Sequence, residues 1–240
     1  MKIREKASFV VPVYNEVENL RVCFGEVDSV ASELFQEYEV LFVDDCSDDQ
    51  SLGVIKELAQ QHPRVKYLSL EEHAGQSAAL AAGFQYASGD IIITLDADLQ
   101  NDPSDIRMMM QYYPEHDVVN GWRHNRRDTL SKKVSSKIGN FVRNKLTHET
   151  IRDTGCSLKI MRASMLKRVK MFKNMHRFLP TLMRLEGARV VEVKVNHRPR
   201  LKGTSKYTNL RRGVEGLYDV IVVRWMTKRH LSTRVREKNV

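Results

Sequence analysis

The sequence has no apolar run long enough to cross a bilayer, and it has little cysteine. The longest candidate, Val220 to Val223, is interrupted by Asp219 and Arg224, whereas a membrane span needs roughly 20 apolar residues. The three cysteines show no CxxC or CxxH spacing, which argues against a disulfide framework and a zinc site. The segment Met1 to Lys6 lacks the apolar core of a signal peptide. We therefore expect reduced thiols and a cytoplasmic setting.

Two common nucleotide-binding motifs are also missing. No Gly-Lys-Ser/Thr of a P-loop follows Gly75, and no Gly-x-Gly-x-x-Gly of a dinucleotide site occurs. There is no internal repeat and no low-complexity linker, so 240 residues fit one large domain with an elaboration. The formal net charge of +9 bears on partners rather than on fold. With this charge, nucleic acid, anionic lipid and phosphorylated substrates are all candidate partners.

The first half of the chain alternates strand and helix patterns. Short β-branched runs predict strands, and longer amphipathic stretches predict helices. Such alternation indicates an α/β protein whose mostly parallel sheet carries helices on both faces. The predicted strands are Ser8–Val13, Glu39–Val43, Val65–Leu70 and Ile91–Leu95, and the predicted helices are Glu16–Phe35, Gln50–Gln61 and Gly75–Ala87.

The second half of the chain is more basic and less regular. Residues Trp122 to Arg152 look helical in part and follow a strand at Asp117–Gly121. Further predicted strands are Ser157–Met161 and Val190–Val195, and further amphipathic helices are Arg177–Leu185 and Leu210–Met226.

Polar side chains follow the ends of three predicted strands. Pro12 to Glu16 close the first strand, Asp44 and Asp45 the second, and Asp96 to Gln100 the fourth. Because ligands of open α/β sheets bind at the carboxyl ends of the strands, we expect these residues at one edge. Helix capping is an alternative explanation for single residues such as Ser47 or Asp49.

Asp96 and Asp98 flank Ala97, and capping explains such a pair poorly. Two carboxylates so close repel each other unless a cation joins them. Mg²⁺ and Mn²⁺ take oxygen ligands and share them with substrate phosphates. Gly75 is expected in the same site, at the junction between a loop and a helix. Backbone amides at such a junction favour an anion, although an ordinary helix start has the same pattern.

These segments together resemble the signature of glycosyltransferase family 2, which has the Rossmann-like GT-A fold. The matching motifs are Val10–Glu16, Val43–Asp49 and Asp96–Pro103. The Leu-Gln-x-x-Pro extension after Asp98 is similar to that of dolichol-phosphate mannose synthases and bacterial undecaprenyl-phosphate glycosyltransferases, and so are Arg177–Pro180 and Arg200–Tyr207. The resemblance runs from about Ser8 to Met226.

The resemblance implies a role for each matching position. It implies an Mg²⁺ or Mn²⁺ ion held by Asp98 and Gln100, and a mobile loop with Arg200, Ser205 and Lys206 closing over the diphosphate. The implied catalytic residues are Asp98, Arg123, Asp153, Arg200 and Lys206. The implied nucleotide-sugar-binding residues are Pro12, Tyr14, Glu16, Asp44, Asp45, Gly75, Gln76, Asp96, Ala97 and Ser205. The sequence departs from the family pattern at Cys46, where glycine is usual, and at Ser104, where a second proline is common.

The implied reaction is one in-line displacement that inverts the anomeric carbon. A hydroxyl acceptor needs a general base, whereas a phosphate monoester, with a second pKa of about 6, is already largely dianionic and needs positive charge instead. A basic cluster after the donor site offers that charge, although it also fits a solvated face. Its members are Arg123, Arg126, Arg127, Lys132 and Lys133.

Asp153 decides between two acceptor classes. It resembles an acidic position at the acceptor end of related enzymes and is open to three interpretations: a base, a partner that orients Arg123, or a turn cap. We expect a polyisoprenyl phosphate acceptor. The alternative is a saccharide or other hydroxyl acceptor with Asp153 as base.

Two predicted helices offer a route to a membrane. Arg177–Leu185 and Leu217–Met226 each have an apolar face, and the second precedes a basic cluster that suits an anionic membrane, or equally a disordered tail. Many members of the resembled family continue into transmembrane helices, and others use a membrane-anchoring partner subunit. We expect peripheral binding to a cytoplasmic membrane face, with residues 1–208 as the catalytic domain and 209–240 as a membrane-proximal element. Nucleic acid is not an expected partner, because no aromatic-lined groove is evident.

Overall fold

The computed structural model of the chain describes residues 2–124, 151–199 and 209–231. Seven strands in these ranges form one sheet of order β3-β2-β1-β4-β6-β5-β7. All neighbouring strands are parallel except β6, which is antiparallel to both β4 and β5. The strands are β1 Ala7–Val13, β2 Tyr38–Asp44, β3 Val65–Ser69, β4 Ile91–Thr94, β5 Val118–Arg123, β6 Lys159–Arg162 and β7 Val190–Val195.

Helices cover both faces of the sheet, as the alternating pattern predicts. They are α1 Leu20–Leu34, α2 Ser51–Gln61, α3 Gln76–Tyr86, α4 Ile106–Met109, α5 Ala163–Leu166, α6 Leu179–Leu185 and α7 Asn209–Arg229, with 3-10 turns at Pro103–Asp105 and Met175–Phe178. In the described ranges, no helix combines the length and the apolar character that a membrane span requires.

Successive residues of the central strands feed two separate cores. Phe9 and Val11 of β1 pack in the core on the α1 side, whereas Val10 packs with α3 on the other face. The contact with α3 is so close that a Cβ on Gly83 would lie 2.3 Å from a methyl carbon of Val10. Glycine at this position therefore lets α3 sit against β1, and this contact helps to fix the start of α3 at the sheet edge.

Helix α1 begins later than the sequence pattern predicts. The pattern places its start at Glu16, but the helix begins at Leu20. The backbone N–H of Glu16 donates to Ser51 Oγ at 2.9 Å, and that of Val17 donates to Asp49 at 3.3 Å. These bonds tie the β1–α1 loop to the β2–α2 loop, so residues 14 to 19 stay outside the helix.

The segment Arg177–Leu185 is part of the core, and the expectation that its apolar face meets lipid is wrong. Leu179 and Met183 pack beneath the sheet with α3, and Leu182 packs against α7. Residues 179 to 183 are all buried. The apolar face of α6 is therefore used inside the protein, where it also receives Val220 and Val223 of α7.

Candidate active site

The loops after β1, β2 and β4 meet at one edge of the sheet. Strand β1 lies between β2 and β4 and is parallel to both, so the three carboxyl ends point the same way. The backbone N–H of Asn15 donates to Ser47 Oγ at 3.0 Å, and Asn15 Oδ1 accepts from the backbone N–H of Asp48 at 2.8 Å. The structure thus brings the three predicted strand ends together.

Tyr14 and His73 form a stacked aromatic pair beside the β2 loop. Their ring centroids lie 4.0 Å apart with an interplanar angle of 23°. The Tyr14 hydroxyl donates to Asp48 at 3.2 Å, and this bond is the main cause that raises the pKa of Tyr14 above its usual value. Tyr14 was predicted as a nucleotide-binding residue, whereas the sequence analysis missed His73.

Asp45 organises the loop that leads into α3. Its carboxylate accepts from the backbone N–H groups of Ala74 and Gly75, each at 2.9 Å, and lies 3.0 Å from Nδ1 of His73. Gly75 has φ of 88°, a left-handed conformation that glycine adopts without strain. The predicted residues Asp45, Gly75 and Gln76 are therefore neighbours in space.

Asp44 carries a buried oxygen that has no hydrogen-bond partner among the described residues. The side chain is 1% exposed, and its Oδ2 accepts from Ser69 Oγ at 3.3 Å and from the backbone N–H of Ser47 at 3.4 Å. Its Oδ1 accepts no hydrogen bond from the part of the chain that the structure describes. A buried carboxylate oxygen left in this way is costly unless a ligand donates to it.

The Asp96-Ala97-Asp98 motif follows β4, and its two carboxylates have different protein partners. Gln76 Nε2 donates to Asp96 Oδ1 at 2.7 Å, which places two predicted sugar-site residues in contact. Asp98 Oδ1 accepts from the backbone N–H of Gln100 at 3.1 Å. Leu99, which lies between Asp98 and Gln100, has a φ of 62°, a strained conformation for a branched residue. The motif is therefore held in a sharp turn at the sheet edge.

The acidic motif has the donor chemistry of a site for a hard cation. Burial and the nearby charge of Asp98 raise the pKa of Asp96 to about 6, which is the effect expected of two crowded carboxylates. The described residues contain no group of three or more His, Cys, Asp or Glu side chains placed to hold a metal. An Mg²⁺ or Mn²⁺ ion here fits only if a bound diphosphate supplies further ligands, which is a common arrangement for Mg²⁺.

Arg123 and Asp153 form a largely buried, bidentate ion pair. Arg123 Nε and Nη2 donate to the two Asp153 oxygens at 2.7 and 2.8 Å, and the side chains are 15% and 11% exposed. Burial alone would lower the pKa of Arg123, but the hydrogen bond and charge of Asp153 raise it above its usual value. Of the three interpretations of Asp153, the geometry favours the partner that orients Arg123.

Glu192 of β7 holds the Asp153 turn from behind. Its carboxylate accepts from the backbone N–H groups of Arg152 at 2.8 Å and Asp153 at 3.0 Å. The Asn120 side chain donates to the Asp153 carbonyl at 3.1 Å. These supports were not predictable from the sequence, because they join residues that lie 33 to 40 positions apart.

Asn101, Ser157 and Lys159 also escaped the sequence analysis. Asn101 Oδ1 accepts from Ser157 Oγ at 2.7 Å and from the backbone N–H of Asp96 at 3.3 Å, so it links the acidic motif to the segment that precedes β6. Lys159 is buried at the start of β6. A lysine beside the apolar residues of a short strand is the one sequence signal that could have pointed to it.

The remaining predicted residues fall into two groups. Pro12 lies near the carboxyl end of β1, Glu16 lies in the loop that follows β1, and Ala97 lies between Asp96 and Asp98, so all three lie at the same edge as the acidic motif. The others lie outside the described residues, and their roles stay predictions. These are Arg126, Arg127, Lys132, Lys133, Arg200, Ser205 and Lys206.

Cys46 has φ of 57°, the left-handed conformation that suits the glycine usual at this position. A left-handed non-glycine residue costs about 1–2 kcal/mol, and the greater freedom of glycine in the unfolded chain offsets part of the gain. We expect Cys46→Gly to raise the free energy of unfolding by about 0.5–1 kcal/mol, measured by urea denaturation. Cys46→Ala keeps the Cβ and should give no stabilisation. Equal stabilisation by alanine would assign the effect to the thiol instead.

Comparison with known proteins agrees with this geometry. Residues 8–170 match the model of the family described as glycosyl transferase family 2. Among solved structures, the mannosyltransferase PcManGT from Pyrobaculum calidifontis, in complex with GDP-Man and Mn²⁺, has a TM-score of 0.66 and 16% identity, over 96% of this chain and 66% of that chain. Glucosyl-3-phosphoglycerate synthase from Mycobacterium tuberculosis, with Mn²⁺, UDP and phosphoglyceric acid, has a TM-score of 0.68 and 16% identity, over 95% and 80%.

A third structure, S. aureus TarS 1–349 in complex with UDP-GlcNAc, has a TM-score of 0.60 and 19% identity, over 91% of this chain and 66% of that chain. The present chain thus spans just under two thirds of the length of PcManGT and of TarS 1–349. At these identities the structural likeness establishes the GT-A fold. The family model matches well over half of the chain, and the chain therefore belongs to glycosyl transferase family 2.

Proposed function

We propose that this enzyme transfers a hexosyl group from a GDP- or UDP-sugar to a polyisoprenyl phosphate at a membrane surface, with inversion of the anomeric carbon. The observation that carries the acceptor assignment is the bidentate pairing of Asp153 with Arg123. The donor assignment is supported by the acidic edge of the sheet and by the nucleotide-sugar complexes of the structural neighbours.

The donor pocket is assigned to the edge formed by the first, second and fourth strands. The Oδ1 of Asp44, which has no partner among the described residues, suits a hydroxyl or ring N–H of the nucleoside, and the stack of half-buried Tyr14 on exposed His73 lies at the same edge. Asp98, with Gln100, would hold Mg²⁺ or Mn²⁺, as Mn²⁺ is present in complexes of two neighbours. When bound, the ion would neutralise charge on the leaving diphosphate.

A phosphate acceptor accounts for the state of Asp153. A general base must reach the proton of an acceptor hydroxyl, but both Asp153 oxygens already accept from Arg123. Breaking a buried bidentate pair to free this carboxylate would be costly. A phosphate monoester needs no such base, because it is largely dianionic at neutral pH. The geometry of Asp153 therefore supports a phosphate acceptor over a hydroxyl acceptor.

Arg123 provides the positive charge that a phosphate acceptor needs. Asp153 orients its guanidinium group through two hydrogen bonds, and the charge of Asp96 also raises the pKa of Arg123. An arginine fork held in one orientation binds a phosphate with little further loss of freedom. We assign Arg123 to the acceptor phosphate and Asp153 to the orientation of Arg123.

Helix α7 carries an exposed apolar stripe that suits a lipid surface. Leu217, Tyr218, Ile221 and Trp225 are each more than half exposed, while the opposite face of the helix is buried against α6. The stripe is followed by Lys228 and Arg229 in the last turn. Large apolar side chains next to cations are the composition of helices that lie in the interface of an anionic membrane.

The triple variant Leu217→Ser, Ile221→Ser, Trp225→Ser is expected to lose at least tenfold in affinity for vesicles of anionic phospholipid, because it removes the apolar area that α7 would bury. Vesicle co-sedimentation measures this, and turnover with a short, water-soluble isoprenyl phosphate should change less than threefold. Tyr86→Ser, which removes another exposed aromatic ring, is the matched control. Unchanged vesicle binding, with loss of a co-purifying membrane protein, would instead identify the stripe as the contact for an anchoring subunit.

The proposed function is tested with purified protein, MgCl₂ or MnCl₂, a panel of GDP- and UDP-sugars, and short polyisoprenyl phosphates. Mass spectrometry of the lipid phase is expected to detect a glycosyl-phosphoryl lipid with one of the donors. Binding of a nucleotide-sugar without glycosylated lipid, followed by transfer to a saccharide, would overturn the acceptor assignment and leave the donor site intact.

A further inference from the structure

Arg198 joins helix α1 to the turn that follows Asp98. Its Nη1 donates to both carboxylate oxygens of Glu26 in α1, each at 2.8 Å, and its Nη2 lies 2.8 Å from Oδ1 of Asp102. Its backbone N–H donates to the carbonyl oxygen of Gln100 at 2.9 Å. One residue therefore connects the acidic motif to a helix on the face of the sheet. The proposed reaction gives this residue no role.

The same turn has a second attachment to the segment that contains Arg198. Asp105 accepts from the backbone N–H of Asn196 at 2.7 Å and from the Nδ2 of the same residue at 2.8 Å. We call residues 196–198 the anchor segment, and it follows directly after β7. Together with the bonds of Arg198, these contacts attach the anchor segment to the turn at positions 100, 102 and 105.

The backbone of Gln100 is held on both sides. Its N–H donates to Asp98 Oδ1 at 3.1 Å, and its carbonyl oxygen accepts from Arg198. Asp98 and Gln100 are the residues that we assign to the divalent cation, so a movement of this turn would change the geometry of both cation ligands. Replacement of a group that orients metal ligands typically costs about 10- to 100-fold in metal affinity or activity.

Ser104, which departs from the family pattern, adds to the same arrangement. Its backbone N–H donates to Asp102 Oδ1 at 3.0 Å, and the same oxygen contacts Arg198. The second proline that is common at this position has no N–H and would remove this bond. The carboxylate of Asp102 is therefore held from two sides.

We propose that Arg198 is a positioning residue that holds the turn of Asp98 and Gln100 in the geometry required by a divalent cation and a nucleotide diphosphate. This inference rests on the proposed donor site, because that site assigns the cation to these two residues. Arginine suits the role because its planar fork reaches two carboxylates at once, whereas lysine is a point charge. The side chains of Arg198 and Glu26 are 35% and 33% exposed, so their replacement should loosen the turn without unfolding the protein.

Three variants separate a tether from an electrostatic effect. Arg198→Gln removes the charge and the fork, Arg198→Lys keeps the charge without the fork, and Glu26→Ala removes the attachment to α1. A purely electrostatic effect would change Mn²⁺ affinity in opposite directions, because Arg198→Gln makes the site more negative and Glu26→Ala makes it less negative. A tether weakens Mn²⁺ binding in both variants. Work at an ionic strength of about 0.15 M keeps the electrostatic part small beyond about 8 Å.

Arg107→Gln is the matched control. Arg107 also forms a bidentate pair with a glutamate of α1, Glu33. Among the described residues, however, it has no hydrogen bond or ion pair with Gln100 or Asp102. The affinity for Mn²⁺ is measured by electron paramagnetic resonance of the free ion, with UDP or GDP present. The KM for the nucleotide-sugar is measured in the transfer assay, and the free energy of unfolding is measured in urea.

We expect Mn²⁺ to bind about tenfold more weakly to Arg198→Gln and about threefold more weakly to Glu26→Ala than to the wild type. Arg198→Lys should lie between the wild type and Arg198→Gln, and Arg107→Gln should match the wild type. The KM for the nucleotide-sugar at a fixed, subsaturating Mn²⁺ concentration should rise in the same order. The double variant Arg198→Gln, Glu26→Ala should bind Mn²⁺ no more weakly than Arg198→Gln, because both changes remove one connection.

Opposite changes of Mn²⁺ affinity in Arg198→Gln and Glu26→Ala would overturn the tether and assign an electrostatic effect. Unchanged affinity in both variants, with a lower free energy of unfolding, would also overturn the proposal and limit Arg198 to a role in the fold. Arg198→Lys and Glu26→Ala keep the test decisive if Arg198→Gln does not fold. Absence of Mn²⁺ binding to the wild type with either nucleotide would overturn the donor site itself, so the two failures are distinguishable.

Discussion

Asp98→Ala is expected to lower the rate of glycosyl transfer by at least about a thousandfold, the scale seen when a main electrostatic stabiliser of a leaving group is removed. Asp98 is 7% exposed and its carboxylate is fixed by the backbone N–H of Gln100, whereas the neighbouring carboxylate of Asp96 already accepts from Gln76. The transfer assay with Mn²⁺ measures the loss. Binding of the nucleotide-sugar in the presence of Mn²⁺ should weaken in parallel.

Two further variants make this prediction specific. Asp98→Asn retains an oxygen that can accept from Gln100 but loses the charge, and we expect it to be nearly as inactive as the alanine variant. Glu57→Gln changes an exposed carboxylate that pairs with Arg21 and contacts none of the predicted site residues, and it should leave transfer unchanged. Retention of more than a tenth of the activity by Asp98→Ala would show that the metal is not held by this residue.

The middle of the sheet was predictable because its central strands are buried on both faces. The apolar runs of β1, β2 and β4 have little alternative to a central parallel strand, and the structure places them within a residue or two of the predicted bounds. The antiparallel direction of β6 was not predictable, because the pattern of Lys159–Arg162 has no direction. The late start of α1 depends on hydrogen bonds from the backbone of Glu16 and Val17 to another loop. Local helix propensity carries no information about such contacts.

In the site, too, features that are local in sequence were predictable, and contacts between distant segments were not. The Asp96-Ala97-Asp98 motif is contiguous, so its chemistry could be predicted from repulsion between neighbouring carboxylates. The pair of Arg123 and Asp153 joins positions 30 residues apart, and the sequence left three roles open for Asp153. Helix α6 was misassigned to lipid because an apolar face has the same pattern whether it meets a core or a membrane. Only the fold decides which surface covers it.

Arg123→Met is expected to reduce transfer to a polyisoprenyl phosphate by about 100- to 1000-fold, because it removes the oriented charge that we assign to the acceptor phosphate. It also leaves the Asp153 carboxylate buried without its main partner. Breaking a buried ion pair by removing one partner typically costs about 3–5 kcal/mol. Because both side chains keep some exposure, we expect urea denaturation to show a loss of unfolding free energy near the lower bound. Loss of activity alone would therefore be ambiguous.

The double variant Arg123→Met, Asp153→Leu resolves that ambiguity. Replacing both members of a buried pair by apolar side chains is often neutral for stability, so the double variant should recover most of the lost free energy of unfolding. It should recover none of the activity, because the acceptor phosphate still has no guanidinium group. Restored activity would assign the pair to the fold rather than to the acceptor.

Asp153→Asn completes the argument, because it separates an orienting residue from a base. Asparagine retains one oxygen that can accept from Arg123, so transfer to a phosphate acceptor should fall by no more than about tenfold. A hydroxyl acceptor would lose its general base, and transfer would nearly disappear. An inactive Asp153→Asn protein with normal stability and normal nucleotide-sugar binding would contradict the phosphate acceptor and favour the saccharide. Substantial retained activity would leave Arg123 as the residue on which acceptor binding depends.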